Sequence, residues 1–267
     1  MVLRRLLTFA LTAGIAFLAR PGFAADAGSQ TAMVNGHAIA WTSVGSGRPV
    51  LVMMAGLGNG KETFAKVAPL LAKHGTIIVY DRPGYGGSPA VPSPRDAEAA
   101  ASDLDALLTQ TGIKGPYIVL GHSLGGLYAE AFAGRHPDKV AGLILEESRP
   151  AKFTSQCEAL QLGMCTPPKA LGMLMPAGAK AEMASLDAVM SQVQARSFID
   201  SKPVLVLSRP TADTPMDRLW RQAQGELADS YAGARHLTSP AGGHYIHVDQ
   251  QAWFLQAVTD FMDQVGP

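Results

Sequence analysis

Hydrophobic residues in this chain fall into short continuous runs, separated by longer stretches in which they recur every three or four positions. Val50–Met54, Thr76–Tyr80 and residues 117–120, 140–145 and 203–207 are the runs, and each predicts a strand buried on both faces. Between them, residues 61–74, 96–111, 124–136 and 216–231 have helical spacing, and 251–265 forms a closing helix. Residues 236–238 fall in a last strand. Residues 32–44 alternate apolar with polar positions around Asn35-Gly36, a dipeptide that tolerates the positive φ of a tight hairpin turn. Strands alternating with helices imply an α/β fold, with a mostly parallel central sheet covered by helices on both faces.

This rhythm stops after residue 148 and resumes at 203. The stretch between, about 149–201, has no clear strand but carries Pro167-Pro168 and Met164, Met173, Met175, Met183 and Met190. We read it as a small helical cap inserted over the sheet, and its methionines as packing or as the wall of an adaptable apolar pocket. Cys157 and Cys165 both lie in it and are the chain's two cysteines. A local disulfide is the preferred reading, with two buried thiols as the alternative.

The first residues differ from the rest. Arg4 and Arg5 precede an apolar stretch, residues 6–18, and Gly22-Phe23-Ala24 offers small residues where a signal peptidase cuts. About 13 apolar residues fall short of the roughly 20 that span a bilayer. Residues 1–24 therefore read as a secretory signal peptide, residues 25–267 as one α/β domain, and the location as periplasmic or secreted. With 47% apolar and 16% charged residues the domain can bury a large core. Twenty-two basic residues balance twenty-two acidic ones, so no charged field marks a nucleic-acid partner, and no later segment predicts stable membrane insertion.

The candidate chemistry lies at Gly121-His122-Ser123-Leu124-Gly125, between the strand at 117–120 and the helix that follows. A serine hydroxyl is a weak nucleophile unless a base reaches it and the backbone presents it on a sharp turn. Glycine two positions away on either side permits such a turn. Gly-His-Ser-Leu-Gly-Gly, the turn Asp81-Arg82-Pro83-Gly84-Tyr85-Gly86-Gly87-Ser88 and the late Gly243-His244 together resemble the α/β-hydrolase superfamily, in order and spacing, over nearly all of residues 34–265.

That resemblance implies Ser123 as nucleophile, His244 as its base, and the backbone N–H groups of Leu57 and Leu124 as the oxyanion hole. The early loop has Ala55-Gly56 where the superfamily usually has His-Gly, which a backbone donor tolerates. For the acid, the resemblance allows the end of either of two strands. Glu147 is taken first, and Asp213 and Glu146 stay open as alternatives. His247, three residues beyond His244, could pair with it at a metal, but no carboxylate motif accompanies them. The expected function is cleavage of a carboxylic ester or related acyl compound, without a cofactor, on a small hydrophobic acyl substrate. Rival readings are other chemistry on the same triad (cofactor-free haloperoxidase, amidase, lactonase or carbon–carbon hydrolase) and a non-catalytic binding protein that kept the fold.

Overall fold

The computed structural model describes residues 28–266 except 93, 164, 167–174 and 195–201. The stretch expected to be a signal peptide, Met164 and Met173 lie outside the described residues. Eight strands form one sheet: β1 (Gln30–Val34), β2 (His37–Gly45), β3 (Val50–Met54), β4 (Thr76–Tyr80), β5 (Tyr117–His122), β6 (Val140–Glu146), β7 (Val204–Ser208) and β8 (Arg235–Thr238). Their order is β1-β2-β4-β3-β5-β6-β7-β8. β1 and β2 form the predicted hairpin, with Asn35 and Gly36 at positive φ in its turn. β2 meets β4 antiparallel, and every later pairing is parallel.

The described helices are α1 (Ala68–Leu71), α2 (Ala97–Thr111), α3 (Leu124–Arg135), α4 (Phe153–Ala159), α5 (Ala177–Ala184), α6 (Leu186–Gln194), α7 (Pro215–Asp229), α8 (Ile246–Asp249) and α9 (Gln251–Val265). On one face of the sheet, Leu104 and Leu107 of α2 pack with Leu127, Tyr128 and Phe132 of α3. On the other, Leu71 of α1 and Phe254 and Phe261 of α9 close over the opposite-facing side chains of the same strands, Leu51, Ile77, Ile118 and Ile144 among them. α4, α5 and α6 fall between β6 and β7, where the sequence predicts a helical insertion. Asp96 caps α2 by accepting a hydrogen bond from the Ala99 N–H at 2.9 Å, and Thr214 caps α7 in the same way through Asp217.

One expected helix differs. Residues 61–74 form a single 3-10 turn at Lys61–Phe64 followed by the four-residue α1. Pro69 explains the break, because it lacks an N–H and its ring would strike the carbonyl one turn back in a continuous helix. Cys157 and Cys165 are joined by a disulfide, with Cα atoms 5.6 Å apart. With Phe153, Cys157 packs on Leu219 and Ala223, tying the base of the insertion to α7.

Sheet register sets up the site. Gly121 lies opposite Met54 on one side and Leu145 on the other, and His122 lies opposite Glu146. The carboxyl ends of β3, β5 and β6 therefore finish level, and the loops that leave them meet at one edge, where open α/β sheets bind ligands.

Candidate active site

Ser123 sits between β5 and α3 with φ +54° and ψ −121°, a left-handed conformation that a non-glycine residue adopts only under strain, on the order of 1–3 kcal/mol. The surroundings hold it there. Its N–H donates to the Glu146 carbonyl at 3.0 Å, and its own carbonyl accepts from Gly126 and Arg149 at 3.0 and 3.1 Å. The flanking glycines are sterically required. A Cβ on Gly121 would lie 2.4 Å from the Gly125 carbonyl, and one on Gly125 would lie 2.3 Å from the Met54 carbonyl. This close approach presses the start of α3, including Leu124, against the loop after β3. A Cβ on Gly56 would lie 3.1 Å from Ser123 Cβ, so the loop that contains Leu57 also borders the serine.

That loop is anchored by a buried network that the sequence reading missed. Arg82 donates to the carbonyls of Ala55 and Gly56 at 2.5 and 3.1 Å, and its other N–H groups clasp Glu182 of α5 at 2.6 and 3.2 Å. Tyr85 donates its hydroxyl to Glu182 at 2.6 Å and accepts from the Gly58 N–H at 3.1 Å. Burial alone would lower the Arg82 pKa, but the Glu182 carboxylate outweighs it and raises it; burial and Glu182 both raise that of Tyr85. Arg82 comes two residues after the buried run of β4, which is the signal that could have marked it as a paired interior charge. Asp81, beside it, organises the glycine turn: it accepts from the Lys61 and Gly87 N–H groups and from Lys61 Nζ.

His244 lies in the loop after β8, its side chain 38% exposed, and its Nδ1 is 3.2 Å from Oε2 of Glu147, which is fully buried. Glu147 also accepts from the Arg209 N–H at 2.8 Å and from the Trp220 indole N–H at 3.1 and 3.2 Å. It directly follows β6, at φ +45°. Glu146, one residue earlier, faces a different histidine. It accepts from the His247 N–H at 2.8 Å and meets His247 Nδ1 at 2.7 Å. Burial would raise the Glu146 carboxyl, but His247 and its hydrogen bonds pull it below the ordinary range. Asp213 stands apart: it is 83% exposed and pairs with Arg218 at 2.8 Å. The structure thus brings Glu147, and not Asp213 or Glu146, to His244.

His122 links the Ser123 turn to the His244 loop. Its Nε2 lies 2.8 Å from the His244 carbonyl, and since a carbonyl only accepts, Nε2 carries the proton. The two rings pack 4.8 Å apart. Burial is the main reason that the His122 pKa falls to about 3, so the ring stays neutral. His122, Glu146 and His247 offer ligand atoms within 4.8 Å of one another, enough to consider a metal. Glu146 engages His247, His247 Nε2 meets Thr63 at 3.1 Å and His122 Nε2 meets the His244 carbonyl, while His122 Nδ1 is buried with no hydrogen-bond partner among the described residues. The cluster reads as a brace beneath the His244 loop.

Curated relatives include the pimeloyl-acyl-carrier-protein methyl ester esterase of Chromobacterium violaceum, 43% identical over 102 residues, or 38% of each chain. The corresponding esterase of Sodalis glossinidius is 34% identical over 112 residues, 41% of this chain and 40% of its own. The chain thus spans about two fifths of the length of these esterases. An sn-1-specific diacylglycerol lipase of Mus musculus is 24% identical over 250 residues, covering 80% of this chain and 81% of the lipase. Among solved structures, an esterase from Thermogutta terrifontis superposes with a TM-score of 0.67 at 22% identity, over 90% of this chain and 99% of that one. An enol-lactonase from Burkholderia xenovorans gives 0.65 at 23%, over 88% and 100%. At these identities the two structures share its fold. The family described as alpha/beta hydrolase fold matches residues 49–190. More than half of the chain lies within that match, and the chain belongs to the alpha/beta hydrolase fold family.

Proposed function

We propose that this hydrolase cleaves carboxylic esters through a Ser123–His244–Glu147 triad. The observation that carries the reading is the buried Glu147 carboxylate against His244 Nδ1, in a loop whose His244 carbonyl accepts from His122, the residue before Ser123. With its Nδ1–H directed at Glu147, His244 presents a bare Nε2 to act as base. Ser123 Oγ then attacks the acyl carbon as its proton passes to Nε2, and the alcohol leaves with that proton. Water next attacks the acyl-enzyme, giving its proton to the same nitrogen, and Ser123 regains its proton as the acid departs. Backbone N–H groups of Leu57 and Leu124 receive the oxyanion in both steps. Glu147 stabilises the imidazolium and keeps its own charge. The named esterases and lipase among the relatives support the ester class.

The same reading has residues 1–24 removed on export and the mature enzyme working in a periplasm or outside the cell. Its substrate is an acyl compound with an apolar body, seated under the insertion. A fluorophosphonate probe tests the triad: folded wild type is labelled and Ser123→Ala is not. Intact, folded wild type that stays unlabelled sinks the proposal and leaves the non-catalytic reading in its place.

A further inference from the structure

Asn59 joins two of the loops that border Ser123 and His244. Its side-chain amide donates to the Leu57 carbonyl at 3.3 Å and to the Tyr245 hydroxyl oxygen at 3.2 Å. A carbonyl only accepts, so the NH2 group faces it, and its two hydrogens serve both partners. Leu57 lies in the loop after β3, whereas Tyr245 directly follows His244, 186 positions from Asn59. Tyr245 is itself braced. Its ring packs 4.9 Å from that of His122 and 5.8 Å from that of His247, and His122 Nε2 donates to the His244 carbonyl.

The backbone of Asn59 acts on the same loop. Its N–H donates to the Gly56 carbonyl at 3.3 Å, which also accepts from Arg82 Nη2 at 3.1 Å. The Gly56 carbonyl and the Leu57 N–H belong to one trans peptide plane and point in opposite directions, so the two donors on the carbonyl set the aim of the N–H. The next peptide is held as well. Its carbonyl, that of Leu57, accepts from the Asn59 amide, and its N–H, that of Gly58, donates to Tyr85 at 3.1 Å. Arg82 and Tyr85 are held in turn by Glu182 of the insertion, and the Asn59 amide by Tyr245 beside His244.

We propose that Asn59 is a positioning residue that fixes the aim of the Leu57 N–H at the developing oxyanion, with Tyr245 as the anchor that keeps its amide in place. This inference rests on the ester reading above and assigns a role within it to two residues outside the triad. A donor that already points at the oxyanion needs no reorientation as charge develops on the substrate oxygen, and its full effect depends on that preorganisation. Through Tyr245, the same amide couples the oxyanion donor to the loop that carries the base.

The experiment measures hydrolysis of 4-nitrophenyl acyl esters by wild type, Asn59→Ala, Tyr245→Phe and the double variant, with thermal unfolding as the folding control. Each protein is also titrated with an alkyl trifluoromethyl ketone, whose serine adduct carries a tetrahedral oxyanion. In Asn59→Ala, kcat should fall roughly tenfold with KM within about twofold, and affinity for the ketone should fall by the same factor as kcat, because a misdirected donor penalises the tetrahedral species and not the bound ester. Tyr245→Phe keeps the ring against His122 and removes only the hydroxyl, and it should lower kcat and ketone affinity by roughly threefold. The double variant should match Asn59→Ala alone, since Tyr245 acts through Asn59. The pH profile of kcat/KM should keep its wild-type position in all three, because the contact of His244 with Glu147 is untouched. A loss confined to KM or to Tm, a shifted pH profile, or losses that multiply in the double variant overturns the inference and leaves the triad standing. If Asn59→Ala does not fold, Tyr245→Phe decides: unchanged kcat and ketone affinity overturn the inference. Wild type that cleaves no ester and leaves Ser123 unlabelled by the fluorophosphonate overturns the ester reading and this inference with it.

Discussion

Ser123 was legible in the sequence because backbone chemistry announces it, with glycines that a tight turn requires next to an apolar run that must be a strand, whereas His244 was reached through the resemblance, from the late Gly243-His244 pair. The acid was not. Two strand ends each offered a carboxylate at a plausible distance, and local spacing could not rank them. What selects Glu147 is tertiary. The Arg209 N–H and the Trp220 indole, 62 and 73 residues away, converge on its buried carboxylate, while Asp213 turns out to solvent. Glu147→Gln should therefore lower kcat for ester hydrolysis by roughly 10³-fold or more, since the amide no longer stabilises an imidazolium and favours the wrong tautomer. Asp213→Asn should stay within about twofold of wild type, because only an exposed pair with Arg218 is lost. The reverse ranking would move the acid to the end of β7.

Strands were read to within a residue or two, because burial on both faces leaves an uninterrupted apolar signature. Helices were read where the spacing ran unbroken, and the misread stretch at 61–74 is the one that contains Pro69. Least legible was what the insertion does to the site. Nothing in local sequence indicates that Glu182 of α5 reaches Arg82 and Tyr85, about a hundred positions earlier. That contact makes α5 a support for the Leu57 loop, the proposed oxyanion hole. Tyr85→Phe removes the acceptor for the Gly58 N–H and should lower kcat roughly tenfold, through small displacements of the Leu57 amide. Glu182→Ala leaves Arg82 buried and unpaired, and in urea unfolding should cost about 3–5 kcal/mol. If both variants match wild type in rate and stability, the network is incidental. At the foot of the same insertion, reducing the Cys157–Cys165 bond frees a short loop. The loop-entropy relation places the loss at about 2–3 kcal/mol, to be read as a lower Tm in reductant.

At the scale of the molecule, the α/β class followed from the alternation of runs, and the order of the sheet came only with the structure, since pairing is a long-range choice. One buried group gives the whole fold a pH dependence. Glu130 in α3 has its carboxyl pushed up to about 7 by burial, with the Tyr231 hydroxyl donating to it at 2.8 Å in partial opposition. The folded protein keeps this proton at pH values where the unfolded chain has lost it. The site therefore costs stability as pH rises from the unfolded value of 4.5 through 7, to a limit of about 3 kcal/mol. Glu130→Gln keeps an acceptor for Tyr231 and removes the slope. Its Tm should exceed that of wild type above about pH 7.5 and converge with it below about pH 4.5; parallel curves would place the group's titration elsewhere. The carboxylate opposite His244 comes from the end of β6, which also changes the standing of the stretch from β7 to α7. Arg209 braces Glu147, and Thr214 starts a helix, but residues 211–213 between them take no part in the proposed triad. On the proposed triad, this short span is a splice point where an inserted peptide tag should leave esterase activity within about twofold of wild type.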